Sequence, residues 1–134
     1  MAGFSMILDK TQFAMLDDAN YSTVKVPEFG EGAEIRIRSL TADQRQRLLA
    51  RMRAVNEGKM PPIPGGDESL ACAMGMVDEK GIPLFSETDS EAIGRKHPAL
   101  VTRISNAIWE LSAMTKASQE DLEKNSKATP NNNA

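Results

Sequence analysis

Ser69-Leu70-Ala71-Cys72-Ala73-Met74-Gly75-Met76-Val77-Asp78-Glu79-Lys80-Gly81-Ile82-Pro83-Leu84-Phe85, continued to Ile93, is the stretch on which the fold turns. Its first nine residues are almost wholly apolar. Leu70, Met74 and Val77 fit a helical period, whereas Leu70, Cys72, Met74 and Met76 fit one face of a strand. The alanines and the Gly66-Asp67 start favour a helix over 67–77, capped by Asp67 and apolar all round, hence central and buried. The acidic turn that follows uses Gly81, which takes positive φ without a Cβ penalty. Ile82 to Phe85 is short and extended, with Pro83 barring a helix. Thr88-x-x-Glu91 reads as a capping box opening a helix to Arg95.

Working outward, Val24 and Val26 alternate with Lys25, and Ile35 and Ile37 with Glu34, Arg36 and Arg38. This is the pattern of a β-hairpin with one covered and one wet face, joined through the turn-rich Pro27 to Gly32. Two strands alone are marginal in water, so helices must cover the apolar face. Thr41-x-x-Gln44 is a capping box for a helix to Asn56 with Leu48, Leu49, Met52 and Val55 as its stripe. Met60 to Gly66 holds three prolines and two glycines and reads as a loop whose length makes it a candidate for motion. Pro98 opens the longest helix, to Met114, with Leu100, Val101, Ile104, Ala107, Ile108 and Leu111 on one side. Ser118-x-x-Asp121 starts a polar helix that fades near Ser126. The expected fold is α+β: an N-terminal β-hairpin packed against a small bundle of about four to five helices. The domain plan is an N-terminal arm at 1–22, one α+β domain at 23–126 with the Pro/Gly loop at 59–67, and a disordered tail at 127–134. In the arm, Asp9-x-x-Gln12 caps a short helix through Phe13 and Leu16, and the arm orders on contact with something else. The expected core is Val24, Val26, Ile35, Ile37, Leu48, Met52, Met74, Leu100, Ile104, Ile108 and Leu111.

Bulk properties narrow the function. The 134 residues carry a net charge of −3, 4% aromatics and eight methionines, so the core is aliphatic and Met-filled and no global charge draws the chain to nucleic acid. No stretch approaches the roughly 20 apolar residues of a membrane span. A single cysteine excludes an internal disulfide. Six of the eight arginines lie between Arg36 and Arg53, but on a helical wheel they form no single basic face and no aromatics interleave with them. A solvated face, or ion pairs with the acidic second half, is the better reading. The carboxylates of Asp78 to Glu91 do not follow a calcium-loop pattern, since Lys80, Ile82 and Leu84 fall at ligand positions. His97 and Cys72 stand alone without a zinc cluster, and Cys72 sits in an apolar run where thiols are inert. No phosphate loop or nucleophile elbow is present, so no enzyme activity, cofactor or metal is expected. Trp109 is the residue singled out for partner contact, with Thr102 and Ala113. It lies opposite Leu100 on the wheel, where it is either covered by a second layer or an interface anchor.

The order of Val26-Pro27-Glu28-Phe29-Gly30, Ile35-Arg36-Ile37-Arg38-Ser39-Leu40-Thr41-Ala42, the Val77-Asp78-Glu79-Lys80-Gly81-x-Pro83-Leu84-Phe85 turn and a polar Glu120 to Ser126 end resembles the tail assembly chaperones of long-tailed bacteriophages and prophages. The resemblance covers residues 22 to 127. It implies a protein that is not an enzyme and that binds the tape measure protein, holds it soluble and promotes tail tube polymerisation around it. It further implies action in the bacterial host cytoplasm and absence from the mature virion. A frameshift-extended product that recruits the tail tube protein belongs to the same expectation, with the A-rich codons of Lys124-Asn125 as the slippage point. Nucleic acid and membrane are not expected partners; self-association is compatible with the Met-rich surface. Two rival classes stay open: a structural head–tail, neck or minor tail component of the virion, and a small nucleic-acid-binding regulator using the arginine helix.

Overall fold

A computed structural model describes residues 5–114. The expected polar helix at 118–126 and the tail at 127–134 lie outside the described residues. The elements run α1 (Lys10–Ala14), β1 (Tyr21–Lys25), β2 (Glu34–Arg38), α2 (Ala42–Asn56), α3 (Asp67–Gly75), β3 (Met76–Val77), a 3-10 turn (Glu87–Asp89), α4 (Ser90–Ile93) and α5 (Pro98–Leu111). The architecture is α+β, as the alternation and the helical stripes require.

The sheet is antiparallel with order β1-β2-β3. Val24 faces Ile35 and Ser22 faces Ile37, which places Val24, Ile35 and Ile37 on one face. That face packs against α5, where Ile104 and Ile108 are buried together with Val24, Ile37, Cys72 and Ala73. On the opposite, wet face the Arg36 guanidinium stacks 4.1 Å from the Tyr21 ring centre, and Arg38 lies at 5.9 Å. The third strand was not expected. The apolar run of the opening stretch is a helix to Gly75 and a strand at Met76–Val77, paired with Ile37 and Arg36. The helical reading holds to Gly75, and of the alternative strand face only Met76 is extended. The cap also moves: Gly66 is the residue before the helix and Asp67 is its first, with the Asp67 carboxylate accepting from the Glu68 backbone N–H at 3.1 Å.

Ser69 to Gly75 is buried throughout, so α3 is the central helix. A Cβ on Gly75 would sit 2.6 Å from Ile108 Cδ1, so the missing side chain is what lets α3 and α5 approach. On the other side of α3, Leu48 of α2 joins Ile63, Leu70, Ala71, Met74 and Met114 in a second cluster, with Met52, Val55 and Trp109 at its edge. Of the expected core, Ile35, Met52, Leu100 and Leu111 are half-buried edge residues, because each faces a margin of its layer. α2 is capped as expected: the Thr41 hydroxyl accepts from the Gln44 N–H at 3.1 Å, and the Gln44 side chain accepts from the Thr41 N–H at 3.0 Å.

The Pro/Gly loop is docked at its second half. Ile63 is buried, and the buried Ser90 hydroxyl donates to the Pro64 carbonyl at 2.7 Å. Gly65 has φ of +80°, and a Cβ there would fall 2.2 Å from the Ser90 carbonyl oxygen. The expected Thr88 cap is not formed, and the Thr88 hydroxyl lies 2.7 Å from the Ser86 hydroxyl. The local turn instead starts at Ser86, whose N–H donates to Asp89 Oδ2 at 2.8 Å, and the helix after it is limited to Ser90–Ile93 rather than running to Arg95. The last helix stops at Leu111, three residues short of the expected end. Ala113 there adopts φ of +57°, with Ala113 N–H bonded to Glu110 O at 3.0 Å and Met114 N–H to Trp109 O at 2.9 Å. That is the hydrogen-bond pair of a Schellman stop, with alanine where glycine is usual.

Candidate partner-binding groove

The acidic turn after β3 leads the chain back to Phe85, which lines the groove. The Asp78 carboxylate accepts from the Lys80 N–H at 2.8 Å and the Ile82 N–H at 3.0 Å, and Gly81 takes φ of +84°. Asp78 N–H donates to Ile82 O at 2.8 Å and Leu84 N–H donates to Met76 O at 3.1 Å, so the chain doubles back along β3. Arg36 reaches across from β2 and donates to the Glu79 carbonyl at 2.8 Å. The return is thus fixed by its own backbone and by one arginine. Its side chains point outward: Ile82 is 56% exposed, Leu84 48% and Phe85 37%. Three large apolar side chains on a polar turn are more than the turn itself requires.

Beside them lies a hollow of about 420 Å³ bounded by β2, β3, α4 and α5. Ile35, Met76, Phe85, Ile93, Leu100 and Ile104 supply apolar walls, and Arg95 and Lys96 stand at the rim. Arg95 makes an exposed ion pair with Glu91 at 3.4 Å, a contact weak enough to be given up. Cys72 is at the groove's floor, where burial, with a smaller contribution from the charge of Glu68, pushes its thiol up to about 12. Its Sγ contacts the Val101 carbonyl at 3.5 Å. A thiol so raised stays protonated at neutral pH, so it serves as packing and not as a nucleophile. No group of three or more metal-ligating side chains occurs among the described residues. The groove can bind apolar surface and attract acidic groups at one end.

A larger hollow, about 630 Å³, lies between α2, the Pro/Gly loop and the 3-10 turn. Arg47 and Glu87 stand in its wall and pair with each other, and Arg47 also pairs with Asp43. That pairing, helped by an Arg47 Nε contact to Glu87 at 3.3 Å, ties the arginine-rich helix to the acidic second half. Arg51 also lines this hollow, and its buried Nε has no hydrogen-bond partner among the described residues, so the wall keeps a polar demand that apolar surface would not meet.

The residues singled out from the sequence lie elsewhere. Trp109 is half-buried at the edge of the second cluster, and its Nε1 donates to the buried Ser105 hydroxyl at 3.0 Å. Thr102 donates to Glu68 Oε1 at 3.0 Å. Ala113 forms the helix stop. All three are on α5 or its end, and none lines the groove. Phe85, Arg95, Lys96 and Leu100 do line it and were not singled out. Their one sequence signal is the apolar excess of Ile82 to Phe85 behind a turn.

No family model and none of the curated proteins matches the sequence. Among solved structures the chain is similar to the bacteriophage HK97 tail assembly chaperone, with a TM-score of 0.52 at 18% identity over 79% of this chain and 92% of that one. The likeness spans nearly all of the second chain, and at this identity it is a likeness of fold. This chain therefore has the fold of a phage tail assembly chaperone, the family that its turn and hairpin motifs resemble.

Proposed function

We propose that the protein is a phage tail assembly chaperone that binds the tape measure protein, keeps it soluble and promotes tail tube polymerisation around it. The shared fold with the HK97 tail assembly chaperone is the observation that carries this reading. The open apolar groove supports it, since a long helical client presents apolar stripes that need covering before assembly. In this reading the protein acts in the host cytoplasm without nucleotide or metal and is absent from the mature virion. A frameshift-extended product would bring the tail tube protein to the same client. Thr102, Trp109 and Ala113 are proposed as a lesser contact along α5, since all three are half-buried rather than sealed. Tryptophan emission that stays unchanged on client binding would remove them.

Co-expression with the long helical tape-measure candidate from the same gene cluster tests the function. The client is expected in the soluble fraction only when this protein is present, with the effect insensitive to ATP depletion and to chelators. Purified particles that contain the protein in stoichiometric amount would replace this reading with that of a structural tail component. The DNA from codon 120 to the stop, and the frame overlapping it, tests the extended product: a slippery run must lie there.

A further inference from the structure

We propose that the row Arg45, Leu49 and Arg53 on α2 is the docking surface for this chain's own Glu120-Asp121-Leu122-Glu123 segment, which lies outside the described residues. The three positions are spaced i, i+4 and i+8, so they follow one another along one side of the helix. Leu49, in the middle of the row, is only half-buried against the second cluster, and Met52 and Val55 on the same helix are left in the same state. Arg45 and Arg53, at its ends, are exposed and make no ion pair among the described residues. Asp43 is the one acid on α2 against four arginines, and it is paired with Arg47, so it leaves the charge of this row unanswered. The row is an apolar step between two uncommitted positive charges.

The chain delivers the segment to this helix. Leu40 N–H donates to Ser112 Oγ at 2.8 Å, which ties the end of α5 to the residue just before the Thr41 cap of α2. Met114 follows, buried in the second cluster with Leu48, the chain neighbour of Leu49. The described chain therefore leaves the domain next to α2. From Met114 to Leu122 the chain advances eight residues. Such a span reaches at most about 29 Å, whereas a helix of this size is about 22 Å long, so the whole row is within range. Charge and polarity match as well. Leu122 is the one large apolar residue of 115–134, and Glu120, Asp121 and Glu123 surround it with no base from Ser118 to Glu123. An apolar centre between acids thus meets an apolar centre between arginines, Leu122 on Leu49 and the carboxylates towards Arg45 and Arg53. A tether this short holds the segment at an effective concentration of about millimolar, which favours the chain's own copy over a neighbour's.

Amide hydrogen exchange of the full chain, read by mass spectrometry over peptides covering 115–126, is the test. In the wild type the Glu120–Glu123 amides should exchange about tenfold or more slowly than in Leu122→Asp, independently of protein concentration, and should speed up as salt is raised. Arg45→Glu with Arg53→Glu should release the segment to the same extent, although the altered positions are remote from it in sequence. Adding Glu120→Arg and Glu123→Arg to that variant should bring the slow exchange back, because the charges are then exchanged across the contact. Every variant changes either exposed arginines or residues outside both clusters, so each should keep the wild-type circular dichroism. Fast exchange in the wild type, slow exchange that survives the arginine reversal, or a charge exchange that restores nothing would overturn the proposal. So would protection that grows with concentration, which would give the segment to a neighbouring molecule. No client enters the measurement, so its failure leaves the chaperone reading as it stands.

Discussion

Ala113 holds a backbone conformation that alanine disfavours by roughly 1–2 kcal/mol, because its Cβ crowds the neighbouring carbonyl at positive φ. The position is kept by the two hydrogen bonds of the helix stop and by Met114, which is buried in the second cluster just after it. Ala113→Gly should therefore raise stability by about 1 kcal/mol, read as a higher denaturant midpoint at constant slope. An unchanged or lower midpoint would mean that the stop is not formed in solution. A second residue-scale expectation concerns Glu28. Arg103 donates to both of its carboxylate oxygens, at 2.9 and 2.8 Å, and these bonds, followed by the backbone N–H of Glu28 itself, hold its carboxyl down at about 2 from 4.5. A carboxyl depressed on folding contributes stability above its unfolded value and loses it as pH falls through the folded one. The stability gap between wild type and Glu28→Gln should be constant above pH 4.5 and close as pH falls towards 2. The pair is exposed to solvent, so high salt should shrink the gap as well.

At the scale of elements, the decisive contact is between α3 and α5. Gly75 is the last residue of α3, and Ile108 fills the space that its side chain would take, with Cδ1, Cγ1 and Cγ2 at 2.6, 2.9 and 2.9 Å from an ideal Cβ. Ile108 is fully buried and cannot swing aside. Gly75→Ala should cost about 1–3 kcal/mol through overpacking, despite the better helix propensity of alanine. Ile108→Ala alone should cost roughly 2–5 kcal/mol, and the double variant should lose less than the sum. Additive losses would show that the two helices are further apart than the structure has them. The same close approach brings Met76 to β2, since the chain leaves α3 at Gly75 and pairs at once with Ile37.

At the scale of the molecule, two apolar clusters share α3, and the groove lies between the sheet, α4 and α5. Leu84, the chain neighbour of the groove residue Phe85, can be altered without touching either core. Leu84 is 48% exposed, and only its backbone takes part in the hairpin return. Leu84→Asp should change stability by less than about 0.5 kcal/mol while lowering client retention in the co-expression assay. Retention at the wild-type level would move the client contact away from the exposed Ile82–Phe85 segment.

The local features of this protein were legible in its sequence because they depend on residues a few positions apart. The Thr41–Gln44 cap, the alternation of Ile35 and Ile37 and the positive φ of Gly81 each follow from neighbours along the chain. The tertiary structure decided what depends on distant partners. Met76 and Val77 are a strand because Ile37 and Arg36 offer them an edge, which no period within the run could reveal. The turn begins at Ser86 rather than Thr88, and Ser90 is spent on Pro64, 26 residues away. The groove draws its walls from Ile35, Met76, Phe85, Leu100 and Ile104, far apart along the chain, so no spacing rule could assemble it. Burial and open surface are sums over the folded chain, whereas caps, turns and alternation are settled within a few residues.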